Sequence, residues 1–540
     1  MIDRLRVFLA LASEKLAGLR GWRRRGACFL SGALSAMALA PFYFLPFLAV
    51  GFSALIWILD GAARDDRPIR TAAFLGWWFG FGYFLVGIYW MAFSFFVQAD
   101  QFAWMAPFAM LGMPAFLAFF SAGACGLSIL FWQNDWRRIF VFAAMWVIFE
   151  YARGHILTGL PWNLVGQAFA GTAAGAQSAA LWGAYGLSLI AVFLAVLPAA
   201  TVCKNEIRDQ VKPLRGLFGA VIGCGLLFLF GIARINLLPS EFHDDAYVRI
   251  VQPNIPQREK IDPTLWSRNF GRHLSLSRGI KEGPGRVFVI WPENGVPLLS
   301  EVSGALEVIS QTLPSNSVLI AGSVRRDIDE NNNQQFFNSV AVIAQSKSGQ
   351  QLLTQYDKHH LVPFGEYLPL KGVLRAIGLA QLAPFEDGFT SGPGPRTIEA
   401  GGPSFAPLIC YEAIFPGELY PRSDRPEWLL TVTNDAWFGD TSGPRQHLDQ
   451  ARLRSIETGL PMARAANTGI SALIDARGIY VERVSLYNSG AIDSPLPKAL
   501  SPTLYSQIGD LIFWVMVLAV WMAAQLWRKY AHGNKPNKKD

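Results

Sequence analysis

The feature that most constrains this chain is the uneven placement of its apolar residues. They crowd residues 27 to 235 and 508 to 527, whereas 238 to 505 reads as an ordinary mixed globular sequence. With 540 residues of which 52% are hydrophobic, the composition exceeds what one soluble core explains. The pattern predicts a helical membrane domain interrupted by a soluble insertion.

A helix needs about 20 mostly apolar residues to cross a bilayer. Eight runs approach this: Ala27 to Phe44, Leu45 to Leu59, Thr71 to Phe96, Trp104 to Trp132, Ile139 to Tyr151, Ala179 to Val202, Leu217 to Ile235 and Leu511 to Trp527. Glu150 and Arg153 cut the fifth short. Lysine and arginine favour cytoplasmic loops. Arg4, Arg6, Lys15, Arg20 and Arg23 to Arg25 precede the first run, Arg64, Arg67 and Arg70 follow the second, and Arg137 and Arg138 follow the fourth. Lys204, Arg208, Lys212 and Arg215 follow the sixth, and Arg528, Lys529, Lys535, Lys538 and Lys539 follow the last. Even parity between these loops requires the fifth run to be a span.

The resulting expectation has five parts: a cytoplasmic N-terminal segment 1–26, a seven-span domain 27–237, an extracytoplasmic domain 238–507, an eighth span 508–527 and a basic cytoplasmic tail 528–540. The first residues read as an amphipathic surface helix, because their basic cluster follows the first apolar stretch, unlike a cleavable signal. The net charge of +7 is accounted for by the basic loops and calls for no nucleic-acid partner.

Of the cysteines, Cys28, Cys125, Cys203 and Cys224 lie in or beside expected spans, so Cys410 is alone in the insertion. A single thiol in an oxidising compartment is either buried in packing or used chemically. The insertion carries short β runs at Tyr247 to Val251, Val287 to Trp291, Val318 to Ala321, Val340 to Ala344, Ala406 to Cys410 and Leu429 to Val432, the pattern of an α/β or α+β sandwich. Three run ends carry reactive groups. In VFVIWPEN, Pro292 stops the strand and delivers Glu293; in YDKHHLVPFGEYLP, Lys358 follows an apolar run; in FAPLICYEAIFPGE, Cys410 ends a strand at a turn opened by Tyr411 and Glu412. Taken singly, Glu293 is a solvated carboxylate, Lys358 a surface charge, and His359 and His360 polar filler.

In combination and in this chain order, these residues resemble the Glu, Lys and Cys triad of the carbon-nitrogen hydrolases, or nitrilases. With the added membrane spans and the strings WPEN, YDKHHLVPFGEYLP, ICYE and NDAWFG, the chain resembles the apolipoprotein N-acyltransferase family over essentially all its length. The family has an aromatic residue shortly after NIPQ, where this chain has Lys260 and Ile261.

The resemblance implies a polytopic helical domain of about eight spans with an inserted nitrilase-like αββα sandwich, and Glu293, Lys358 and Cys410 as catalytic residues. It implies supporting or gating positions at Glu366 and Glu412, with Tyr411 and Asn338 added as neighbours of the site. It further implies a phospholipid acyl donor, the α-amino group of a diacylglyceryl-cysteine at a lipoprotein N-terminus as acceptor, and a multi-pass monomer in the bacterial inner membrane with its catalytic domain in the periplasm. No cofactor is expected, and no metal, since no His, Cys or carboxylate cluster has ligand-like spacing. The rival reading is a membrane-tethered amidase or nitrilase acting on a small C-N substrate; a non-enzymatic membrane protein is a further alternative.

The segment 361–390, rich in Leu361, Leu368, Leu370, Leu374, Leu379 and Phe385, reads as an apolar lid, or alternatively as an ordinary surface helix. Asn338 and the segment Asn434 to Phe438 read as braces for the site. Arg445 and His447 read as salt-bridged or exposed, with contact to a lipid phosphate as the alternative.

Overall fold

The computed structural model describes residues 2–201, 214–280, 285–302, 304–330, 332–346, 349–369 and 388–533. The chain divides into two compact units, Met1–Leu237 with Leu504–Asp540, and Leu238–Thr503.

The first unit is helical: α1 (Ile2–Gly18), α2 (Gly21–Ala36), α3 (Pro46–Ala62), α4 (Pro68–Ile88), α5 (Ala106–Leu130), α6 (Arg137–His155), α7 (Ala179–Val196), α8 (Arg215–Leu237) and a closing helix Leu511–Gly533. Among the described residues, five stretches are long and apolar enough to cross a membrane: Pro68–Phe96, Ala99–Phe131, Arg137–Thr158, Ala179–Ala200 and Arg215–Leu237. Pro46–Ala62 and Leu511–Leu526 are apolar but shorter.

The run expected at Ala27 to Phe44 is not one helix. The helix α2 starts earlier, includes Arg23 to Arg25, and stops at Ala36, after which the chain turns through Met37 to Leu45. Pro41 and Pro46 break the helical ladder despite the apolar sequence. The run with Glu150 and Arg153 extends through them to His155, because both charges find partners. Glu150 Oε1 accepts from the Val165 N–H at 3.0 Å, and Arg153 donates to the carbonyls of Leu160 and Trp162 at 2.7 and 2.6 Å. Helix α4 approaches α2 closely: a Cβ on Gly32 would lie 1.9 Å from the Phe79 carbonyl oxygen, so only glycine fits there.

Among the described residues, the second unit holds two sheets. One is six-stranded, in the order β11-β1-β2-β3-β4-β5, with β1 (Phe242–Gln252), β2 (Arg286–Trp291), β3 (Ser317–Ile328), β4 (Gln334–Ser346), β5 (Gly349–Asp357) and β11 (Gly490–Pro497). The other is five-stranded, in the order β10-β9-β8-β7-β6, with β6 (Phe405–Ile409), β7 (Trp428–Thr433), β8 (Met462–Ala466), β9 (Ser471–Ile474) and β10 (Tyr480–Val484). The strands expected from sequence all appear, with Cys410 one residue beyond the end of β6.

Strands β1 to β3 run parallel, as do β6 to β8, and the remaining pairs are antiparallel. Inward residues of both sheets, among them Ile250, Phe288, Ile320, Val342, Phe405, Trp428 and Leu430, make one shared core. The other face of the first sheet packs with Leu274 of helix α10 (Trp266–Ser277) and Ile309 of helix α11 (Ala305–Thr312), numbered after the short helix α9 (Gln257–Ile261). The other face of the second sheet packs with Leu448 and Ala451 of helix α12 (Ser442–Thr458). Parallel strands buried on both faces explain the near-continuous Val, Ile and Leu runs.

Candidate active site

Glu293, Lys358 and Cys410 each follow the end of a strand, β2, β5 and β6 respectively. Three residues far apart in sequence meet because crevices outside strand ends gather loops from different crossovers. The Glu293 loop lies close against β3. The Gly295 N–H donates to the Gly322 carbonyl at 2.8 Å, and a Cβ on Gly322 would lie 2.4 Å from the Pro292 oxygen. Lys358 is fixed by its main chain, whose N–H donates to the Asn338 carbonyl on β4 at 2.8 Å and whose carbonyl accepts from the Gly392 N–H at 2.8 Å.

The buried Lys358 ammonium donates to Glu366 at 2.8 Å and stands 3.9 Å from Glu293 Oε1. The side-chain amide of Asn338 bridges the two acids, donating to Glu293 Oε1 at 2.8 Å and to Glu366 Oε1 at 2.7 Å. The other Glu366 oxygen accepts from the Val362 N–H at 2.8 Å. Among the described residues, Asn338 is the one hydrogen-bond donor to the Glu293 carboxylate.

Burial, above all, raises the Glu293 pKa; Lys358, Asn338 and Lys260 pull it down and Glu366 pushes it up, leaving it above the ordinary carboxylate range. Burial acts first to lower the Lys358 pKa, but Glu366, Glu293 and Cys410 outweigh it, so the ammonium is held charged. Burial and Glu293 push the Cys410 thiol up, against the pull of Lys358 and of the Thr433 hydroxyl that hydrogen-bonds it. Burial and neighbouring charges thus disfavour ionisation of the Cys410 thiol and of the Glu293 carboxyl, while the Lys358 ammonium is held charged.

Cys410 is half-buried, and its backbone lies in the left-handed region at φ 50°. A non-glycine residue there costs about 1–3 kcal/mol and persists when its surroundings hold it. His447 supplies one such hold, its Nε2–H donating to the Cys410 carbonyl at 3.1 Å. Behind it, His447 Nδ1 lies 2.9 Å from Asp435 Oδ1, and Asp435 is paired with Arg464 at 2.7 Å and accepts from the Thr433 hydroxyl at 3.1 Å. Burial opposes ionisation of Asp435, but His447, Arg464 and Thr433 together hold its pKa below the usual range.

His447 is thus buried and paired with Asp435, so of the readings open for it the salt bridge holds and the exposed charge does not. Arg445 is half-buried and paired with Asp440 at 2.8 Å. Asn434 donates to Gln257 of α9 at 2.8 Å and accepts from Asn467 at 3.0 Å, tying the loop after β7 to the loop after β1.

Glu412 is placed differently from Glu366. Its oxygens accept from the N–H groups of His359 and Ile409 and from the Tyr356 hydroxyl at 2.8, 2.7 and 2.8 Å, and His359 Nδ1 lies at 2.6 Å. It fastens the turn after β6 to the strand end that carries Lys358. Burial raises its pKa first, but the His359 ring and the Ile409 N–H outweigh this and leave it lowered. Tyr411 is buried edge-on against Phe415 and His360, with centroids 5.0 and 5.7 Å away.

Cys410, Asp435 and His447 come together in space although their sequence spacing is not ligand-like; their ligand atoms lie within 4.8 Å of one another. They do not suit a metal ion, because Asp435 is already committed to Arg464 and Thr433, and His447 Nε2 faces a carbonyl. The lid residues Leu370, Leu374, Leu379 and Phe385 lie outside the described residues, as do Cys203, Lys204, Arg208, Lys212, Lys535, Lys538 and Lys539. Sequence reading placed Asp435 only within a bracing segment and gave no signal for Thr433 or Arg464.

Comparison with known proteins agrees with this architecture. Residues 247–496 match the family described as carbon-nitrogen hydrolase, and residues 31–197 match the family described as the apolipoprotein N-acyltransferase N-terminal domain. A carbon-nitrogen hydrolase domain joined to a helical membrane domain is therefore the class of protein that the fold defines. Proteins named apolipoprotein N-acyltransferase from Rhodopseudomonas palustris and Bradyrhizobium diazoefficiens are each 41% identical to this chain over 94% of its length and 95% of theirs. One of the same name from Brucella melitensis is 39% identical over 96% of this chain and 98% of its own. The chain belongs to the apolipoprotein N-acyltransferase family.

Proposed function

We propose that this chain transfers a fatty acyl group from a phospholipid, through a thioester on Cys410, to the α-amino group of the N-terminal diacylglyceryl-cysteine of lipoproteins. The observation that carries the reading is the convergence of the Glu293 carboxylate and the Lys358 ammonium, bridged through Asn338 and Glu366, on the Cys410 thiol.

The chemistry follows from that arrangement. Glu293, its pKa raised by burial, takes the thiol proton as Cys410 Sγ attacks the ester carbonyl carbon of the phospholipid. The tetrahedral oxyanion is stabilised by the Lys358 ammonium and a backbone N–H near Tyr411, each donor worth about a hundredfold or more in rate. Collapse breaks the ester C–O bond, the leaving alkoxide takes the proton from Glu293, and lysophospholipid departs. In the second half, the lipoprotein amine attacks the thioester carbonyl, Glu293 accepts the amine proton, an amide bond forms and the C–S bond breaks, the proton returning to sulfur. Free α-amino groups have pKa values of about 7.7–8.0, so neutral amine is available under these conditions.

Asn338 and Glu366 hold Lys358 and Glu293 in register, and the His447–Asp435–Arg464 relay holds the Cys410 main chain in its left-handed turn. Both substrates are lipids of one membrane, which accounts for joining such a domain to spans. We place the protein in the bacterial inner membrane as a monomer with eight spans. The short helices Pro46–Ala62 and Leu511–Leu526 and helix α2 supplement the five long ones, the catalytic domain is a periplasmic αββα sandwich, and the basic loops are cytoplasmic. The match of residues 31–197 favours this over the tethered amidase.

The deciding experiment incubates the purified protein with phospholipid and maps any hydroxylamine-labile acyl group by mass spectrometry, then chases with a diacylated lipopeptide. Acyl on Cys410 that passes to the peptide amino terminus supports the reading. An unmodified Cys410 in folded protein sinks it.

A further inference from the structure

One buried cation beside the site has no part in the scheme above. Lys260, at the end of α9, is 8% exposed, and its Nζ donates to the Glu293 main-chain carbonyl at 2.5 Å. Its own backbone is held in turn. The Trp266 indole donates to the Lys260 carbonyl at 3.3 Å, and Asn269 donates to the preceding Glu259 carbonyl at 3.1 Å. Lysine is seldom buried unless something requires its charge, because desolvating an ammonium is costly.

The groups that face Lys260 are Glu293 after β2, Cys410 after β6 and His273 on α10. Burial, with Lys260 contributing, pushes the His273 pKa down to about 4, so His273 is neutral and Lys260 is the cation on that side. Around Glu293, the second acid is Glu366 and the two cations are Lys358 and Lys260, while Asp435, the other acid that acts on the thiol, is paired with Arg464. Proton transfer from Cys410 to Glu293 then leaves a thiolate and Glu366 facing two ammonium groups.

We propose that Lys260 is a positioning residue for acyl transfer, fixing the Glu293 loop through its carbonyl and supplying the second positive charge that balances the carboxylate pair beside the nucleophile. The inference rests on Glu293 being the base. Burial lowers the Lys260 pKa to about 8, against the upward pull of Glu293 and Cys410. The sign follows directly: the cation is present below about pH 8 and is lost as pH rises through it. Thioester formation therefore slows across that range. This half-reaction contains no acceptor amine, whose own titration would mask the effect.

The test uses the full chain in detergent with a diacyl phospholipid and no lipopeptide, following acyl-Cys410 formation by mass spectrometry from about pH 6 to about pH 10. K260M is expected to be slower by about tenfold or more at neutral pH, one unit of lost thiolate stabilisation, and to lack the alkaline fall. K260R, charged throughout, keeps its rate where the wild type declines. A K260M rate within about twofold of wild type, with the alkaline fall intact and E293Q inert, overturns the inference while sparing the base assignment. Normal acylation by E293Q overturns both. If K260M loses its thermal unfolding transition, K260R decides alone, and a decline like that of the wild type overturns the proposal.

Discussion

Glu293 and Glu412 are both buried acids within the same catalytic unit, yet their surroundings drive them in opposite directions. Glu412 accepts from main-chain N–H groups, a hydroxyl and an imidazole, and its pKa falls; Glu293 has a single amide donor and a lysine 3.9 Å away, and its pKa rises. A fully served carboxylate gains nothing by taking a proton and acts as a fastener. An under-served one is ready to take a proton, which is what a base must do. Asp435, paired with Arg464 and His447, belongs with the fasteners.

The largest effect that tests this contrast is at Glu293, the proposed proton acceptor. Glu293→Gln should lower the rate of Cys410 acylation by about a thousandfold with little change in melting temperature, and retained activity would break the comparison. Lys358→Met should cost about a hundredfold or more in the same assay, the loss of one oxyanion donor. His447→Gln should lower kcat by roughly tenfold with KM nearly unchanged, since it touches the Cys410 carbonyl and no substrate; a change confined to KM would remove it from the positioning relay. Glu412→Gln should act chiefly on the fold, at about 1–3 kcal/mol, because it sets an amide N–H against N–H donors, and activity should recover in part on cooling.

The smallest effect is in pH. Asp435 and Glu412 have lowered pKa values, so each adds stability that is present above its unfolded value of about 4 and lost as pH falls through the folded one. Glu293, with its raised value, contributes in the opposite sense. Thermal unfolding of the full chain should therefore show a melting temperature that drops in acid, and the drop should be shallower in Glu412→Gln.

The placement of Glu293, Lys358 and Cys410 was legible because each follows an apolar run, and strand ends are readable from hydrophobic patterning alone. The long spans were legible for the same reason. The break at Met37 to Leu45 was obscured by its apolar sequence, although Pro41 and Pro46 mark it. What supports the triad was less visible. Arg464 sits inside β8, outside the strand runs read from sequence, and is buried against an acid 29 positions away. Helix α12 is polar in sequence and nonetheless buried along its length; pattern reading left His447 as salt-bridged or exposed, and pairing with Asp435 buries it. Lys260 appeared as a position that departs from a motif, since nothing local indicates that its ammonium reaches the carbonyl of a residue 33 positions on.

The pairing of β1 with β11 joins the first and last strands of the catalytic unit, Val248 opposite Ser494 and Ile250 opposite Ile492. During synthesis, β1 leaves the ribosome long before the strand that covers its edge exists. Its row of unpaired amides stays open to other chains until the domain is nearly complete. The final strand thus acts as a clasp fitted last, and a nascent chain stalled before residue 490 would hold a catalytic unit with its Cys410 strand present and its opening edge unguarded.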